Sequence, residues 1–387
     1  MIHKFTNGCV LLGHTTSDRV SVYTKDERII AITQESLPYD VLHDAKGGYI
    51  SPGFIDIHVH GGGGREFGDG REEDFFFISE LHAKHGTTTM LPTAAAASTE
   101  DYVNMFETFR HVKGMENPHG AYMPSIHMEA PYFAPSQVGA QGPYIRGFDR
   151  SEYTMLIERY GDLIGRWSAA PELEGAREFA KACRECGIRL SIGHSDAEYD
   201  CVMEMFDEGF ACVTHLYSCT STVHRKNAYR YAGIVEAAYM IDDMDVELIA
   251  DGKHLPPSLL QFAVKHKGVD RICIVTDATR GAGLPDGAEK TLGNVNFIIE
   301  DGVAKLPDRS AFSGSVCTTN RLVRNMRDMA GVSLLEAVRM ATANPARVAG
   351  LSDRGTLREG AFADVVIFDE NVDVSLTMVN GRVVYEK

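Results

Sequence analysis

Six residues with metal-ligand chemistry stand where short apolar runs end. His58 and His60 form a His-x-His pair in Phe54-Ile55-Asp56-Ile57-His58-Val59-His60, and Glu129 closes His127-Met128-Glu129. His194 follows Gly193, His215 follows Thr214 and Asp277 follows Thr276. Four imidazoles and two carboxylates make a mixed nitrogen and oxygen donor set that suits Zn²⁺ or Fe²⁺. They offer too little oxygen for a dedicated calcium cage. A lone histidine at a strand end is more often a hydrogen-bonded core residue than a ligand. Six such residues at successive strand ends are more than packing requires, so the set reads as a metal centre that makes hydroxide available at neutral pH.

The elements that must position these residues alternate along the middle of the chain. Apolar runs at 54–59, 87–91, 124–128, 163–169, 189–193, 211–215, 246–250 and 272–276 are separated by helical patterns such as 74–85, 101–112, 173–186 and 257–266. Eight strands alternating with helices predict a closed (β/α)8 TIM-type barrel, whose strand ends converge on one mouth. Period-2 alternation puts Asp56, His58 and His60 on one strand face, and Gly61–Gly64 lets the chain turn sharply after them. That glycine run is not a P-loop, because no Lys-Ser/Thr follows it. Both ends of the chain read as short strands instead. Asn380-Gly381 marks a type I′ hairpin near the C-terminus. Neither end has enough apolar surface to fold alone. Residues 1–52 and 358–387 are therefore expected to pair into one small β-sandwich domain, with the barrel at 53–357 inserted between them.

Composition bounds the partners. The chain has 387 residues, 44% hydrophobic and 24% charged, with 38 Lys and Arg against 54 Asp and Glu for a formal charge of −16. Nucleic acid and anionic membrane surfaces are poor partners for such a chain. Eight scattered cysteines fit a reduced, cytoplasmic protein. Cys183-Arg184-Glu185-Cys186 is a lone CxxC with no second pair, so it is read as structural. No run is apolar and long enough to span a membrane.

Pro52-Gly53-Phe54-Ile55-Asp56-Ile57-His58-Val59-His60-Gly61 resembles the opening metal motif of the amidohydrolase superfamily. His127-Met128-Glu129-Ala130-Pro131-Tyr132-Phe133, Gly193-His194-Ser195-Asp196-Ala197, Thr214-His215-Leu216-Tyr217, Ala250-Asp251-Gly252-Lys253-His254 and Thr276-Asp277-Ala278-Thr279 resemble successive motifs of the N-acetylglucosamine-6-phosphate deacetylase family within it. Phe312-Ser313-Gly314-Ser315 and Ala341-Thr342-Ala343-Asn344-Pro345-Ala346 extend the resemblance over nearly the whole chain. The resemblance implies a metal-dependent barrel with a β-sandwich built from both termini. It implies that Glu129, His194 and His215 hold one divalent metal. His58 and His60, kept here, make a second metal joined through Glu129 an expectation, giving one or two zinc or iron(II) ions per chain. Asp277 is expected both to ligate metal and to act as general base and then general acid, with His254 or a neighbouring donor stabilising the oxyanion.

Departures from the family fall in the substrate loops. Ser218-Cys219-Thr220 stands for the family's Asn-Ala-Met. A longer segment, His224 to Gly233, replaces a short Arg-Glu-Pro-Gly turn, so Arg225, Lys226 and Arg230 compete for the phosphate-binding role. Gln141 stands where the family has a histidine. Ala140, Gln141, Ser218, Cys219, Asp251, His254, Phe312, Ser313 and Gly314 complete the expected substrate-binding set. In this family the corresponding arginine comes from a neighbouring subunit, which implies a homodimer. The resulting expectation is hydrolysis of the N-acetyl amide of an amino-sugar phosphate, N-acetylglucosamine 6-phosphate first. The alternatives are another N-acyl sugar such as N-acetylgalactosamine 6-phosphate, another amidohydrolase substrate, or a non-catalytic barrel scaffold.

Overall fold

A computed structural model of the chain describes residues 1–292 and 295–387. Eight strands form one parallel sheet: β1 Phe54–Val59, β2 Thr87–Ala94, β3 Ile126–Glu129, β4 Ile164–Ala169, β5 Arg189–Ile192, β6 Phe210–Val213, β7 Asp245–Leu248 and β8 Ile272–Ile274. Each is paired to the next in sequence order from β1 to β8. The ring closes beyond the end of β8, where Asp277 N–H donates to His58 O (2.9 Å) and His60 N–H to Ala278 O (2.8 Å). The expected (β/α)8 barrel is thus observed, joined between its first and last strands at the mouth. All six residues of β1 are buried, as a parallel strand covered on both faces requires.

Helices follow the strands, including α1 Glu72–Ala83, α2 Thr99–Lys113, α3 Arg150–Tyr160 and α4 Ala176–Glu185. In α4 the buried residues Ala176, Phe179, Ala180 and Cys183 recur at the three- and four-residue spacing of one helix face. Cys183 is therefore core, Cys186 is exposed, and all eight cysteines are free.

Strands from both termini share a six-stranded sheet in the order Arg382–Glu386, Val374–Val379, Val365–Phe368, Tyr49–Pro52, Cys9–Leu12 and Thr15–Ser17. A four-stranded sheet of Arg28–Thr33, Ser21–Lys25, Ile2–Thr6 and Val41–Asp44 lies beside it. Phe5, Val10, Val22, Ile29, Ile50, Val365, Ile367 and Met378 belong to one core cluster shared by the two sheets. Asn380 and Gly381 take φ 49° and 74°, the left-handed pair that the hairpin turn needs.

Several strands depart from the sequence reading. Ile2–Thr6 and Val41–Asp44 are strands without a clear apolar alternation, formed because non-local neighbours complete their hydrogen bonding, and Thr15–Ser17 is the return strand of a tight hairpin on Cys9–Leu12. A three-stranded meander, Glu289–Leu292, Val295–Glu300 and Val303–Lys305, interrupts the chain after β8. It packs Phe297, Ile299 and Ala304 on Val316. The longer loop at 224–231 is a two-stranded hairpin, His224–Lys226 against Tyr229–Tyr231.

Candidate metal centre and active site

At the barrel mouth six side chains from five strand ends meet around one carboxylate. Glu129 Oε1 lies 2.8 Å from His215 Nε2, 3.3 Å from His194 Nε2 and 3.4 Å from His58 Nε2. Glu129 Oε2 lies 3.1 Å from His60 Nε2. Asp277 Oδ1 is 3.3 Å from His60 Nε2 and 3.5 Å from His58 Nε2. Ligand atoms of His58, His60 and Asp277, and those of His58, Glu129 and His215, lie within 4.8 Å of one another. All six expected ligand residues are therefore brought together, with His58 common to both groups and His194 beside the second.

The backbone presents these side chains in unusual conformations. His194, His215 and Asp277 take φ 47°, 30° and 46°, a region that costs a non-glycine residue on the order of 1–3 kcal/mol. The surroundings hold them there: Ser315 N–H donates to Asp277 O at 2.9 Å, and Ala134 N–H to His194 O at 3.0 Å.

Hydrogen bonding directs ring nitrogens inward. His58 Nδ1 donates to Glu247 Oε2 at 3.0 Å and His194 Nδ1 to the Gln137 carbonyl at 2.7 Å, so each ring, in the neutral form that ligates a cation, presents a bare Nε2 to the centre. His58 Nε2 is buried and has no hydrogen-bond partner of its own, which a purely structural cluster would rarely leave. The residues fit a divalent cation with imidazole and carboxylate ligands.

The electrostatics agree. Burial opposes charge on Glu129, but His58, His194 and His215 outweigh it and hold the carboxyl well below its ordinary value. Burial likewise opposes ionisation of Asp277, and His58 and His60 override it. His60 is lifted to about 9 and His194 to about 10 against the effect of burial, His60 by Asp277 and Glu129, His194 by Cys219 and Glu129. The carboxylates thus demand positive charge at this point.

Beside the centre lies a cavity of about 210 Å³ lined by His60, Glu129, His194, His215 and Asp277. Of the expected substrate residues, Ala140, Gln141, Ser218, Cys219, His254, Phe312 and Gly314 also line it. Asp251 sits behind His254, its carboxylate accepting from His254 Nδ1 at 2.7 Å. Phe312 packs on the His254 ring with centroids 4.9 Å apart. Ser313 is buried outside the lining. Gly139 is required by close approach, since a Cβ there would meet Cys219 Sγ at 2.7 Å.

The geometry adds two particulars about the expected substrate residues. Gln141 does not present a free amide to the cavity: its Nε2 donates to Glu129 Oε2 at 2.7 Å and its Oε1 accepts from Ala96 N–H at 2.7 Å. Arg225, Lys226 and Arg230 lie on the exposed hairpin and do not line the cavity, because the added residues pair with each other and project outward. Sequence reasoning also missed Glu247 and Arg166, charged residues inside apolar strand runs. Their signal was that very mismatch of charge and burial pattern.

A sequence profile of the amidohydrolase family matches residues 49–384. The N-acetylglucosamine-6-phosphate deacetylase of Lysinibacillus sphaericus is 30% identical over 95% of this chain and 93% of its own. The crystal structure of the Pasteurella multocida N-acetylglucosamine-6-phosphate deacetylase superposes with a TM-score of 0.92 at 26% identity, covering 99% of each chain. A mutant of the Mycobacterium smegmatis deacetylase, solved in complex with N-acetyl-D-glucosamine-6-phosphate, superposes with a TM-score of 0.90 at 27% identity over 100% of this chain and 99% of that one. With its barrel, its terminal sheets and its cluster of six ligand-type residues, the chain belongs to the amidohydrolase family, among the N-acetylglucosamine-6-phosphate deacetylases.

Proposed function

We propose that the protein hydrolyses the N-acetyl amide of N-acetylglucosamine 6-phosphate, releasing acetate and the free amine. The observation that carries this reading is the convergence of His58, His60, Glu129, His194, His215 and Asp277 beside one cavity, in a chain whose relatives carry the name of that activity. One or two divalent cations held by these six residues would supply Lewis-acid activation of water and of the amide carbonyl, and zinc and iron(II) both suit the donor set.

The chain's own groups divide the remaining work. Asp277, half-buried at the mouth and facing the cavity, takes a proton from the attacking water on its carboxylate and returns it to the departing amine. His254 faces the cavity with Nδ1 donating to Asp251, whose carboxylate raises the imidazole's pKa against burial, so the protonated ring offers Nε2–H to the developing oxyanion. Phe312 packs on the His254 ring and restrains its orientation.

Among the described residues no Lys or Arg lines the cavity. We assign the phosphate to the cations of the 224–231 hairpin, delivered by a second copy of the chain in a homodimer. Free cysteines throughout support a cytoplasmic setting, and no described helix is long and apolar enough to cross a membrane. The cation-free lining and the committed Gln141 also favour a second reading, an N-acetyl sugar without phosphate. Acetate release measured across phosphorylated and unphosphorylated N-acetyl sugars separates the two. The highest kcat/KM is expected for N-acetylglucosamine 6-phosphate, and activity confined to an unphosphorylated or non-sugar amide overturns the assignment.

A further inference from the structure

The barrel interior beneath the metal centre is polar. Arg166 on β4 and Glu247 on β7 form an ion pair whose side chains are 1% and 0% exposed. Arg166 also donates to Ser191 Oγ at 2.9 Å, and Ser168 bonds to His127 Nε2 at 2.7 Å and to Thr214 Oγ1 at 2.8 Å. Removing two charges from water costs several kcal/mol each even after relaxation, so such a pair in a barrel that Val and Leu could fill calls for a reason.

Glu247 supplies one. Its second oxygen accepts from His58 Nδ1 at 3.0 Å and from the His215 backbone N–H at 3.2 Å. An ionised Glu247 can only accept, so it fixes the proton of His58 on Nδ1 and aims the bare Nε2 between Glu129 and Asp277. Arg166 in turn keeps Glu247 charged in its buried position. His60, the other half of the His-x-His pair, has no such support, since its Nδ1 is buried without a partner.

We propose that Glu247, held by Arg166, is a positioning residue that fixes the tautomer and ring of His58 and thereby sets metal occupancy at the His58, His60 and Asp277 position. The proposal rests on the metal reading of the site and is independent of which N-acyl substrate the enzyme takes. Its test therefore reads metal and fold, and its outcome stays separate from that of the substrate panel.

The experiment compares the wild-type full-length protein with E247Q and with the double variant R166M/E247L. The double variant removes both charges, leaves neither buried alone, and keeps the volume apolar. Metals per chain are counted by elemental analysis after equilibration with graded chelator, and apo-protein melting is followed in parallel. In both variants the affinity of one metal position is expected to weaken about 10–100-fold. The position served by Glu129, His194 and His215 should stay filled, and apo R166M/E247L should melt near the wild type. Wild-type metal affinity at every position in the double variant overturns the proposal. So does uniform loss of all metal in step with a lowered apo melting temperature, which would mark the ion pair as structural only. If E247Q fails to fold, the double variant decides alone.

Discussion

Gln141 donates its side-chain amide to Glu129 Oε2 at 2.7 Å, the same oxygen that lies 3.1 Å from His60 Nε2. Its other end is anchored by Ala96 N–H, so the glutamine fixes the rotation of the central carboxylate. Gln141→Leu keeps the bulk and removes both bonds. It should lower kcat/KM about 10- to 100-fold, as loss of groups that orient ligands typically does, and weaken metal retention. Steady-state kinetics with elemental analysis check this, and wild-type values for both would show that Glu129 needs no such anchor.

Asp277 makes a separable contribution. Asp277→Asn keeps the side-chain shape and one oxygen toward His60, but an amide cannot accept and return a proton. Turnover should fall at least 10²-fold while metal content at the position served by Glu129, His194 and His215 persists. Substantial remaining turnover in a metal-replete D277N protein would exclude it as the base.

Much of this site was legible in the sequence for a specific reason. His58, His60, Glu129, His194, His215 and Asp277 each end an apolar run, and a barrel topology gathers strand ends, so one-dimensional spacing carried three-dimensional meaning. Glu247 and Arg166 were not legible, because they lie inside runs read only for their apolar neighbours, and which two strands face across a barrel is set by closure rather than by local pattern. The 224–231 segment was read correctly as basic, but charge pattern does not say where a hairpin projects. The 289–305 meander was missed because its buried residues, such as Phe297 and Ile299, are few and interrupted by polar ones.

A buried histidine away from the metal should contribute to the loss of stability in acid. His82 Nε2 donates to the Gly61 carbonyl at 3.0 Å, its Nδ1 has no partner, and burial pushes its pKa down to about 4. An unfolded histidine titrates near 6.5, so between these values the unfolded chain binds the proton and the folded chain does not. Stability should therefore fall as pH drops from about 6.5 toward 4, by roughly 2 kcal/mol between pH 7 and pH 5 from this group. His82→Gln keeps a donor for Gly61 without titrating there, so urea unfolding at the two pH values should show a smaller loss than in the wild type. Equal losses would mean that other groups dominate.

Arg354 and Asp364 form a second buried pair, each 4% exposed. Arg354 also donates to Asn380 Oδ1 at 2.6 Å and lies 4.2 Å over the Tyr122 ring, tying the end of the barrel to the C-terminal hairpin. Arg354→Met leaves Asp364 buried without its cation and should destabilise by about 3–5 kcal/mol, whereas R354M/D364L, which leaves no orphan charge, should recover much of the loss. Denaturant midpoints check this. Equal midpoints for the single and double variants would contradict a buried-charge origin.

Arg225 and Arg230 are the uncommitted cations of the exposed hairpin. Lys226 already pairs with Glu198 at 3.3 Å, while neither arginine has an ion-pair partner among the described residues. If they grip the phosphate, R225A/R230A removes charged hydrogen bonds worth about 1.5–3 kcal/mol each. KM for N-acetylglucosamine 6-phosphate should then rise at least 10-fold, with kcat/KM for the unphosphorylated sugar unchanged. A homodimer with shared sites adds a sharper consequence. Mixing R225A/R230A chains with D277N chains after reversible dissociation should restore activity, because one composite site then combines an intact Asp277 with an intact hairpin. A parallel fall on both sugars would remove the phosphate role. Absence of complementation would place the hairpin's action within its own chain.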